Sequence, residues 1–127
     1  MNKIKIMIVD DHALMREGLT KILEMEDNLE VVIRAANGNE AIDYIEKNSV
    51  DIVLLDINMP NMNGIETLKK MKQMQPEIKI IMLTVYDTRE YLIETLNLGA
   101  NGYMLKDAET DSLIKAIETV YNGGSYI

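Results

Sequence analysis

Five short apolar runs, of three or four residues each, recur along the 127-residue chain. Each run is too short for a helix and most are rich in β-branched side chains, so we predict five strands. Strands with one solvated face alternate apolar and polar residues, whereas these runs are continuously apolar, which favours a parallel sheet covered by helices on both faces. The predicted strands contain residues 6–9, 31–33, 52–55, 80–83 and 102–105.

The segments between the runs are amphipathic. Apolar residues spaced by four, seven and eight positions form one stripe on a helix surface, near both ends of the chain. We therefore predict a doubly wound α/β domain of five βα units. Its five-stranded parallel sheet should have the flavodoxin-like order 2-1-3-4-5, with five helices on two faces. The two stripes are Met15, Leu19, Ile22 and Leu23, and Leu113, Ile117, Val120 and Tyr121.

Polar residues mark several of the predicted helix ends. Asn37, Asn63 and Asp87 each precede a glutamate by three positions, a spacing typical of an N-cap with an acidic third residue. Pro76 and the pair Gly123-Gly124 are expected to end helices. No Pro-, Gly- or Ser-rich linker divides the pattern, so the length corresponds to a single domain.

Composition excludes several kinds of site. The chain has no cysteine and a single histidine, His12, which rules out disulfides, thiolate metal centres and multi-histidine sites. The formal net charge is -8, so we expect this chain alone not to bind DNA. No apolar run approaches the roughly 20 residues of a membrane-spanning helix, so we expect a soluble, cytoplasmic protein without membrane contact. We assign His12 no role.

Polar side chains follow or end four of the predicted strands. Asp10 and Asp11 follow the first strand, Asp56 follows the third, Thr84 ends the fourth and Lys106 follows the fifth. Doubly wound sheets bind ligands beyond the carboxyl ends of their strands, so we expect these residues to share one rim. Any one of them alone could be a helix cap or a solvated residue. Their expected co-location is what indicates a functional site.

The three carboxylates would repel one another unless a cation bound between them. Oxygen ligands favour Mg²⁺, Mn²⁺ or Ca²⁺, and open water positions beside a phosphate suit Mg²⁺. An ionised aspartate can attack phosphorus to form an acyl phosphate, and Asp56, alone at the centre of the rim, fits that role. Asp10 and Asp11 are placed to hold the metal. Thr84 and Lys106 would contact phosphoryl oxygens.

Five separated pieces of the sequence form a specific combination: Asp10-Asp11, residues 52–60, Gly64, Leu83-Thr84 and Lys106. With these residues, and over its whole length, the chain resembles the receiver domain of two-component response regulators. This resemblance implies that Asp56 is the phosphoacceptor and that Lys106 pairs with the phosphoryl group. Mg²⁺ or Mn²⁺ would be coordinated by Asp11, Asp56 and the main-chain carbonyl of Asn58. Asp10 would act directly or through water.

The resemblance also implies a conformational switch. Thr84 would move its hydroxyl toward the new phosphoryl oxygens and Tyr103 would follow inward, although the residues alone leave Tyr103 open to a packing role. The sequence departs from the family pattern at two positions. Val85 stands where many receivers have alanine or glycine, and Asp107 stands where many have proline. An aspartate directly after the lysine, as at Asp107, resembles the pattern of the NarL/FixJ-type branch of the family. Members of that branch carry a LuxR-type helix-turn-helix.

We therefore expect residues 1–122 to form the receiver domain and residues 123–127 to begin a linker to a DNA-binding domain absent from this chain. A sensor histidine kinase would phosphorylate Asp56, the domain would dimerise, and the absent domain would control transcription. It would not be an enzyme, beyond self-catalysed phosphotransfer and slow autodephosphorylation. The alternative is a stand-alone receiver that acts by protein–protein contact.

Three other functions fit the residues less well. A haloacid-dehalogenase-type hydrolase also uses an aspartate nucleophile and Mg²⁺, but its general-acid position is occupied here by Asn58. A nucleotide or flavin module would need a glycine-rich phosphate loop, and the sequence has none. A receiver that no longer accepts phosphate would not need the acceptor-site residues that this sequence retains.

Overall fold

A computed structural model describes residues 3–59, 62–86 and 88–127. Its five parallel strands form one sheet in the order β2-β1-β3-β4-β5, and five helices alternate with them along the chain, which confirms the predicted fold. The strands are β1 (Ile4–Val9), β2 (Leu29–Ala35), β3 (Ile52–Asp56), β4 (Lys79–Thr84) and β5 (Gly102–Leu105). The helices are α1 (Ala13–Glu24), α2 (Gly38–Lys47), α3 (Gly64–Met74), α4 (Arg89–Asn97) and α5 (Thr110–Tyr121).

Two apolar clusters cover the two faces of the sheet. Ile6 and Ile8 of β1 face one cluster, whereas Met7 and Val9 face the other, because neighbouring side chains of a strand point to opposite faces. Every residue of β3 is buried, which explains why its sequence is continuously apolar up to Asp56. The first cluster includes Leu19, Leu23, Leu113 and Ile117 of α1 and α5, and the second includes Ala41, Ile45, Leu68 and Met71 of α2 and α3.

The strand register aligns the carboxyl ends of β1, β3 and β4. Val9 pairs with Leu55, so the next residues, Asp10 and Asp56, extend from neighbouring strands at the same level. Asp56 in turn pairs with Leu83, one residue before Thr84. The hydrogen-bonded ladder between strands thus converts three separate strand ends into one rim.

Two of the three predicted N-caps are confirmed. Asn37 and Asn63 each accept a hydrogen bond at 2.9 Å through the side-chain oxygen, from the backbone N–H groups of Glu40 and Glu66 respectively. Asp87 lies outside the described residues. Helix α4 has Thr88 at its N-cap position, with no side-chain capping hydrogen bond. This helix therefore starts without a device that stabilises α2 and α3.

The predicted helix ends are also confirmed. Helix α3 ends before Pro76, and Gly123, at φ 98°, reverses the chain after α5. The chain then returns to the sheet, where Tyr126 accepts a hydrogen bond from the backbone N–H of Tyr103 at 2.9 Å and donates one to the carbonyl of Asn101 at 3.1 Å. The segment predicted to begin a linker is thus bonded to the edge of β5. Within the described residues, no helix has the length and apolarity needed to cross a bilayer.

Candidate functional site

Three charged side chains at the carboxyl ends of β1, β3 and β5 meet at the rim. The ammonium group of Lys106 lies 2.7 Å from Oδ2 of Asp10 and 3.2 Å from Oδ1 of Asp56. The two carboxylate side chains are only 3% and 4% exposed, and that of Lys106 is 11% exposed. The predicted convergence of these three residues is confirmed. We call the group formed by Asp10, Asp11, Asp56 and Lys106 the acidic pocket.

Asp11 adds a third carboxylate to the acidic pocket. Its Oδ1 atom is buried and has no hydrogen-bond partner among the described residues. Ligand atoms of Asp10, Asp11, His12 and Asp56 all lie within 4.8 Å of one another. A buried oxygen without a donor, next to two further carboxylates, matches what a hard divalent cation requires. The described residues therefore contain a cluster that could hold a metal ion.

His12 lies beside the acidic pocket, although its sequence context led us to assign it no role. The ring Nδ1 of His12 lies 3.2 Å from Oδ1 of Asp10 and 3.1 Å from Oδ1 of Asp11, although its side chain is 68% exposed. His12 occupies the N-cap position of α1 in extended backbone conformation, and its backbone N–H donates to Asp10 at 2.9 Å. Its position directly after Asp10 and Asp11 was the signal that could have identified it.

Arg16, which no sequence motif singled out, also lies beside the acidic pocket. Its Nη1 atom donates a hydrogen bond at 2.7 Å to the main-chain carbonyl of Asp10. One turn of α1 separates Arg16 from His12, and the contact holds the end of β1 against the start of the helix. Arg16 thus holds the backbone of the acidic pocket in place, because its guanidinium group contacts the main-chain carbonyl of Asp10.

Burial and the unequal number of charges shift two pKa values in the pocket. Burial raises the pKa of Asp56 above its ordinary value of 3.8, and the proximity of Asp10 raises it further, while Lys106 opposes both effects. Burial alone would lower the pKa of Lys106, but its contacts with Asp10 and Asp56 outweigh burial and raise it. Lys106 therefore stays protonated, and a further cation would stabilise ionised Asp56.

Asn58 lies at the edge of the pocket. Its backbone N–H donates to Oδ1 of Asp56 at 3.3 Å, which helps to orient the carboxylate. The predicted use of its main-chain carbonyl as a metal ligand stays a prediction. Gly64 packs against the backbone at Asp56, with its N–H donating to the carbonyl of Ile57 at 2.7 Å.

The two predicted switch residues meet at Tyr86. Thr84 is fully buried, and its hydroxyl oxygen accepts a hydrogen bond from the N–H of Tyr86 at 3.0 Å. Tyr103 is also buried, and its hydroxyl donates to the carbonyl of Tyr86 at 3.1 Å. Both departures from the receiver pattern, Val85 and Asp107, have exposed side chains. The loop after β4 is therefore connected to two side chains whose predicted motion would displace it.

A family model shows which family the chain belongs to. The profile described as the response regulator receiver domain matches residues 6–118. The chain belongs to this family. Receiver domains are signalling switches and not classical enzymes, which argues against the hydrolase alternative.

Related proteins place this receiver domain in the NarL/DegU type of LuxR-family regulators. It is 44% identical over 126 residues to the transcriptional regulatory protein DegU of Brevibacillus brevis, covering 99% of this chain and 53% of that protein. It is 42% identical over 125 residues to the oxygen regulatory protein NreC of Staphylococcus carnosus, covering 98% and 58% respectively. The receiver domain thus spans little more than half the length of these curated relatives.

A solved structure supports the same assignment. The receiver domain matches a LuxR-family two-component response regulator from Aurantimonas with a TM-score of 0.95 at 29% identity, over 99% of this chain and 90% of that one. Its fold therefore agrees with that of a family member across nearly every residue.

Proposed function

We propose that this receiver domain accepts a phosphoryl group on Asp56 from the phosphohistidine of a sensor histidine kinase or, in vitro, from a small acyl phosphate. A carboxylate oxygen of Asp56 would form the new P–O bond while the P–N bond of phosphohistidine breaks. The departing imidazole keeps the electron pair of that bond and takes up a proton. The observation that carries the proposal is the placement of Lys106, whose ammonium group contacts Asp10 at 2.7 Å and Asp56 at 3.2 Å.

The acidic pocket has the donor set expected for Mg²⁺ or Mn²⁺. Asp11 and Asp56, together with the main-chain carbonyl of Asn58, would hold the ion, and Asp10 would act directly or through water. The buried, unpartnered Oδ1 of Asp11 supports this assignment. The bound ion would neutralise negative charge on the transferring phosphoryl oxygens.

Lys106 would stabilise both the resting and the phosphorylated state. In the resting state its ammonium group holds the carboxylates of Asp10 and Asp56 together. After transfer, the phosphoryl oxygens on Asp56 would compete for the same ammonium group. Slow hydrolysis of the acyl phosphate would then return the domain to its resting state.

Phosphorylation would shift the domain between two conformations through Thr84 and Tyr103. New phosphoryl oxygens would accept a hydrogen bond from the hydroxyl of Thr84, and the movement of this hydroxyl toward them would break the bond that its oxygen accepts from the N–H of Tyr86. Movement of Tyr86 would alter its contact with Tyr103. The conformations that gain these hydrogen bonds become more populated, and we propose that they expose a dimerisation surface near α4 and α5.

We propose that the output is transcriptional control. DegU, with which this chain shares 44% identity, is a transcriptional regulatory protein. Residues 1–122 would form the receiver domain of such a regulator in the cytoplasm, and residues 123–127 would lead to a helix-turn-helix domain that binds DNA. A stand-alone receiver acting by protein–protein contact is the alternative, and sequencing the intact gene distinguishes the two.

The experiment is intact-mass analysis after incubation with acetyl phosphate and Mg²⁺. We expect the wild-type protein to gain the mass of one phosphoryl group and the Asp56→Asn variant to gain none. Asp107→Asn is the matched control, because Asp107 is an exposed aspartate next to Lys106, and this variant should be labelled like the wild type. Stoichiometric labelling of Asp56→Asn would refute the assignment. Size-exclusion chromatography with and without beryllofluoride tests the proposed dimerisation.

A further inference from the structure

We infer that His12 is a nitrogen ligand of the divalent-metal site, and that it shifts the preference of this site toward ions that bind imidazole more strongly than Mg²⁺ does. The inference rests on the proposed function, since it requires a metal ion in the acidic pocket. It concerns a residue that neither phosphoryl transfer nor the switch employs.

The backbone directs the imidazole of His12 over the carboxylates. The N–H of His12 donates to Oδ1 of Asp10 at 2.9 Å, which folds the residue back toward the end of β1. The ring Nδ1 consequently lies 3.2 Å from Oδ1 of Asp10 and 3.1 Å from Oδ1 of Asp11. A nitrogen placed between two carboxylate oxygens faces the region that a shared cation would occupy.

The buried oxygen of Asp11 supports the same position. Oδ1 of Asp11 has no hydrogen-bond partner among the described residues, and Nδ1 of His12 is a close neighbour of it. Ligand atoms of His12, Asp10, Asp11 and Asp56 can be chosen that all lie within 4.8 Å of one another. One ion could therefore contact the imidazole together with the carboxylates after small rotations of the side chains.

Two properties allow His12 to act without disturbing the fold. Its side chain is 68% exposed, so the ring can rotate toward an ion without breaking core contacts. It makes no side-chain capping hydrogen bond to α1, so its replacement removes no cap from the helix. A substitution at this position should therefore report on metal binding more than on folding.

Imidazole changes the metal preference in a defined direction. Mg²⁺ prefers oxygen ligands, whereas affinity for nitrogen-containing sites rises from Mn²⁺ through Co²⁺ and Ni²⁺. A site formed by carboxylates and a carbonyl would discriminate less strongly between these ions than one that also contains an imidazole. We therefore expect His12 to increase the affinity for Mn²⁺ and Co²⁺ while leaving the affinity for Mg²⁺ nearly unchanged.

The composition allows an unambiguous spectroscopic test. His12 is the only histidine of the chain and cysteine is absent, so an imidazole signal from a bound ion can arise from this residue alone when the protein carries no affinity tag. Pulsed electron paramagnetic resonance of bound Mn²⁺ detects coupling to the ¹⁴N nucleus of a coordinated imidazole. We expect this coupling in the wild type and its loss in His12→Ala and His12→Gln.

Calorimetric titration with MgCl₂ and CoCl₂ supplies the second measurement. We expect His12→Ala to bind Co²⁺ on the order of tenfold more weakly, while its affinity for Mg²⁺ stays within about twofold of the wild type. Asp107→Asn serves as the control and should leave both affinities unchanged. Urea midpoints confirm that the variants are folded.

The outcomes separate this inference from the proposed function. Absence of ¹⁴N coupling in wild-type protein with bound Mn²⁺, or an equal loss of Mg²⁺ and Co²⁺ affinity in His12→Ala, would overturn the role of His12 and leave the Mg²⁺ site intact. A wild-type protein that binds no divalent cation would refute the metal site of the proposed function and this inference together.

Discussion

The acidic pocket and the surface around α4 lie at the same end of the sheet, yet they differ sharply in packing. In the pocket, Asp10, Asp56 and Lys106 are nearly inaccessible and are joined by two contacts of 2.7 and 3.2 Å. The α4 surface, by which we mean Val85, Tyr86 and helix α4, is largely exposed. Val85 is 66% exposed, and Thr95 is the one residue of α4 that is fully buried among those described.

The difference indicates where the chemistry and the response occur. A reaction that creates charge needs fixed partners, and the acidic pocket supplies them from three strands of a buried sheet. A conformational response follows the path of lowest free-energy cost, and α4 offers one because it has a single fully buried residue among those described and no side-chain capping hydrogen bond. Thr84 connects the two regions, because its carbonyl accepts a hydrogen bond from the N–H of Lys106 at 2.8 Å and its hydroxyl accepts one from the N–H of Tyr86. Tyr103 donates to the carbonyl of the same Tyr86. Four substitutions test this division, from the largest expected effect to the smallest.

Replacing Gly64 with alanine should have the largest effect, because it breaks the support beneath the pocket. An added Cβ would overlap the main-chain carbonyl oxygen of Asp56 and lie 2.7 Å from Cα of Ile57, so the backbone would have to move. We expect a loss of about 3 kcal/mol in the free energy of unfolding, measured by urea denaturation.

Gly18→Ala is the matched control for this prediction. A Cβ at Gly18 would meet no atom within 4 Å, and Gly18 lies inside helix α1. We expect this substitution to stabilise the protein by about 0.5–1 kcal/mol, because alanine is the better helix former. Equal destabilisation by both substitutions would contradict the close packing at Asp56.

Lys106→Met should have the next largest effect, because it leaves the carboxylates of Asp10 and Asp56 without their cation. We expect a loss of about 2 kcal/mol without divalent ions, less than the ~3–5 kcal/mol of a fully enclosed pair because the pocket can admit cations. Added Mg²⁺ should restore part of the loss. Lys115→Met, an exposed site on α5, should change the urea midpoint little. An unchanged midpoint for Lys106→Met would show that the contacts contribute nothing.

Asp56→Asn should make the protein more stable at neutral pH in the absence of divalent ions. Burial raises the pKa of Asp56 in the native state above its ordinary value of 3.8, which we take for the unfolded state. At a pH between the unfolded-state pKa and the native-state pKa, the native state therefore binds more protons than the unfolded state. The stability of the wild type therefore falls as the pH rises through that window, and the deficit persists above it. The variant lacks this deficit, so its advantage in urea midpoint should disappear below pH 3.8. A variant less stable than the wild type at neutral pH would contradict the shift.

Tyr103→Phe should have the smallest effect on stability but a local effect on the α4 surface. It removes the hydroxyl that donates to Tyr86 at 3.1 Å, and water can replace this donor because Tyr86 is 47% exposed. We expect the free energy of unfolding to change by less than about 1 kcal/mol, with faster amide hydrogen exchange at residues 85, 86 and 88–92. Tyr121→Phe, at an exposed tyrosine of α5, should leave exchange there unchanged. Faster exchange in β3 instead of α4 would reverse the proposed division.

Much of the fold and of the acidic pocket could be predicted because the signals are local. Continuous apolarity identified the buried strands, and Asn37 and Asn63 identified two helix starts through the capping spacing. The order of charged residues at strand ends identified Asp56 and Lys106, because parallel strands have their carboxyl ends at one edge. The proximity of His12 to the pocket was not predicted, because a single histidine after a strand belongs to no repeating pattern. The position of its ring depends on the backbone conformation of the turn.

The linear order of residue types therefore determined the βα repetition, the buried strands and the set of polar residues at the rim, since each follows from spacing along one segment. Only the tertiary structure decided which of these side chains contact one another. The register of β1, β3 and β4 and the fold of the chain after β5 bring Lys106 between Asp10 and Asp56, and the turn after β1 places His12 beside Asp11. The contacts of Lys106 depend on packing between segments that are distant in the chain, and that of His12 depends on the backbone conformation of the turn after β1, so no pattern of residue types along one segment specifies either.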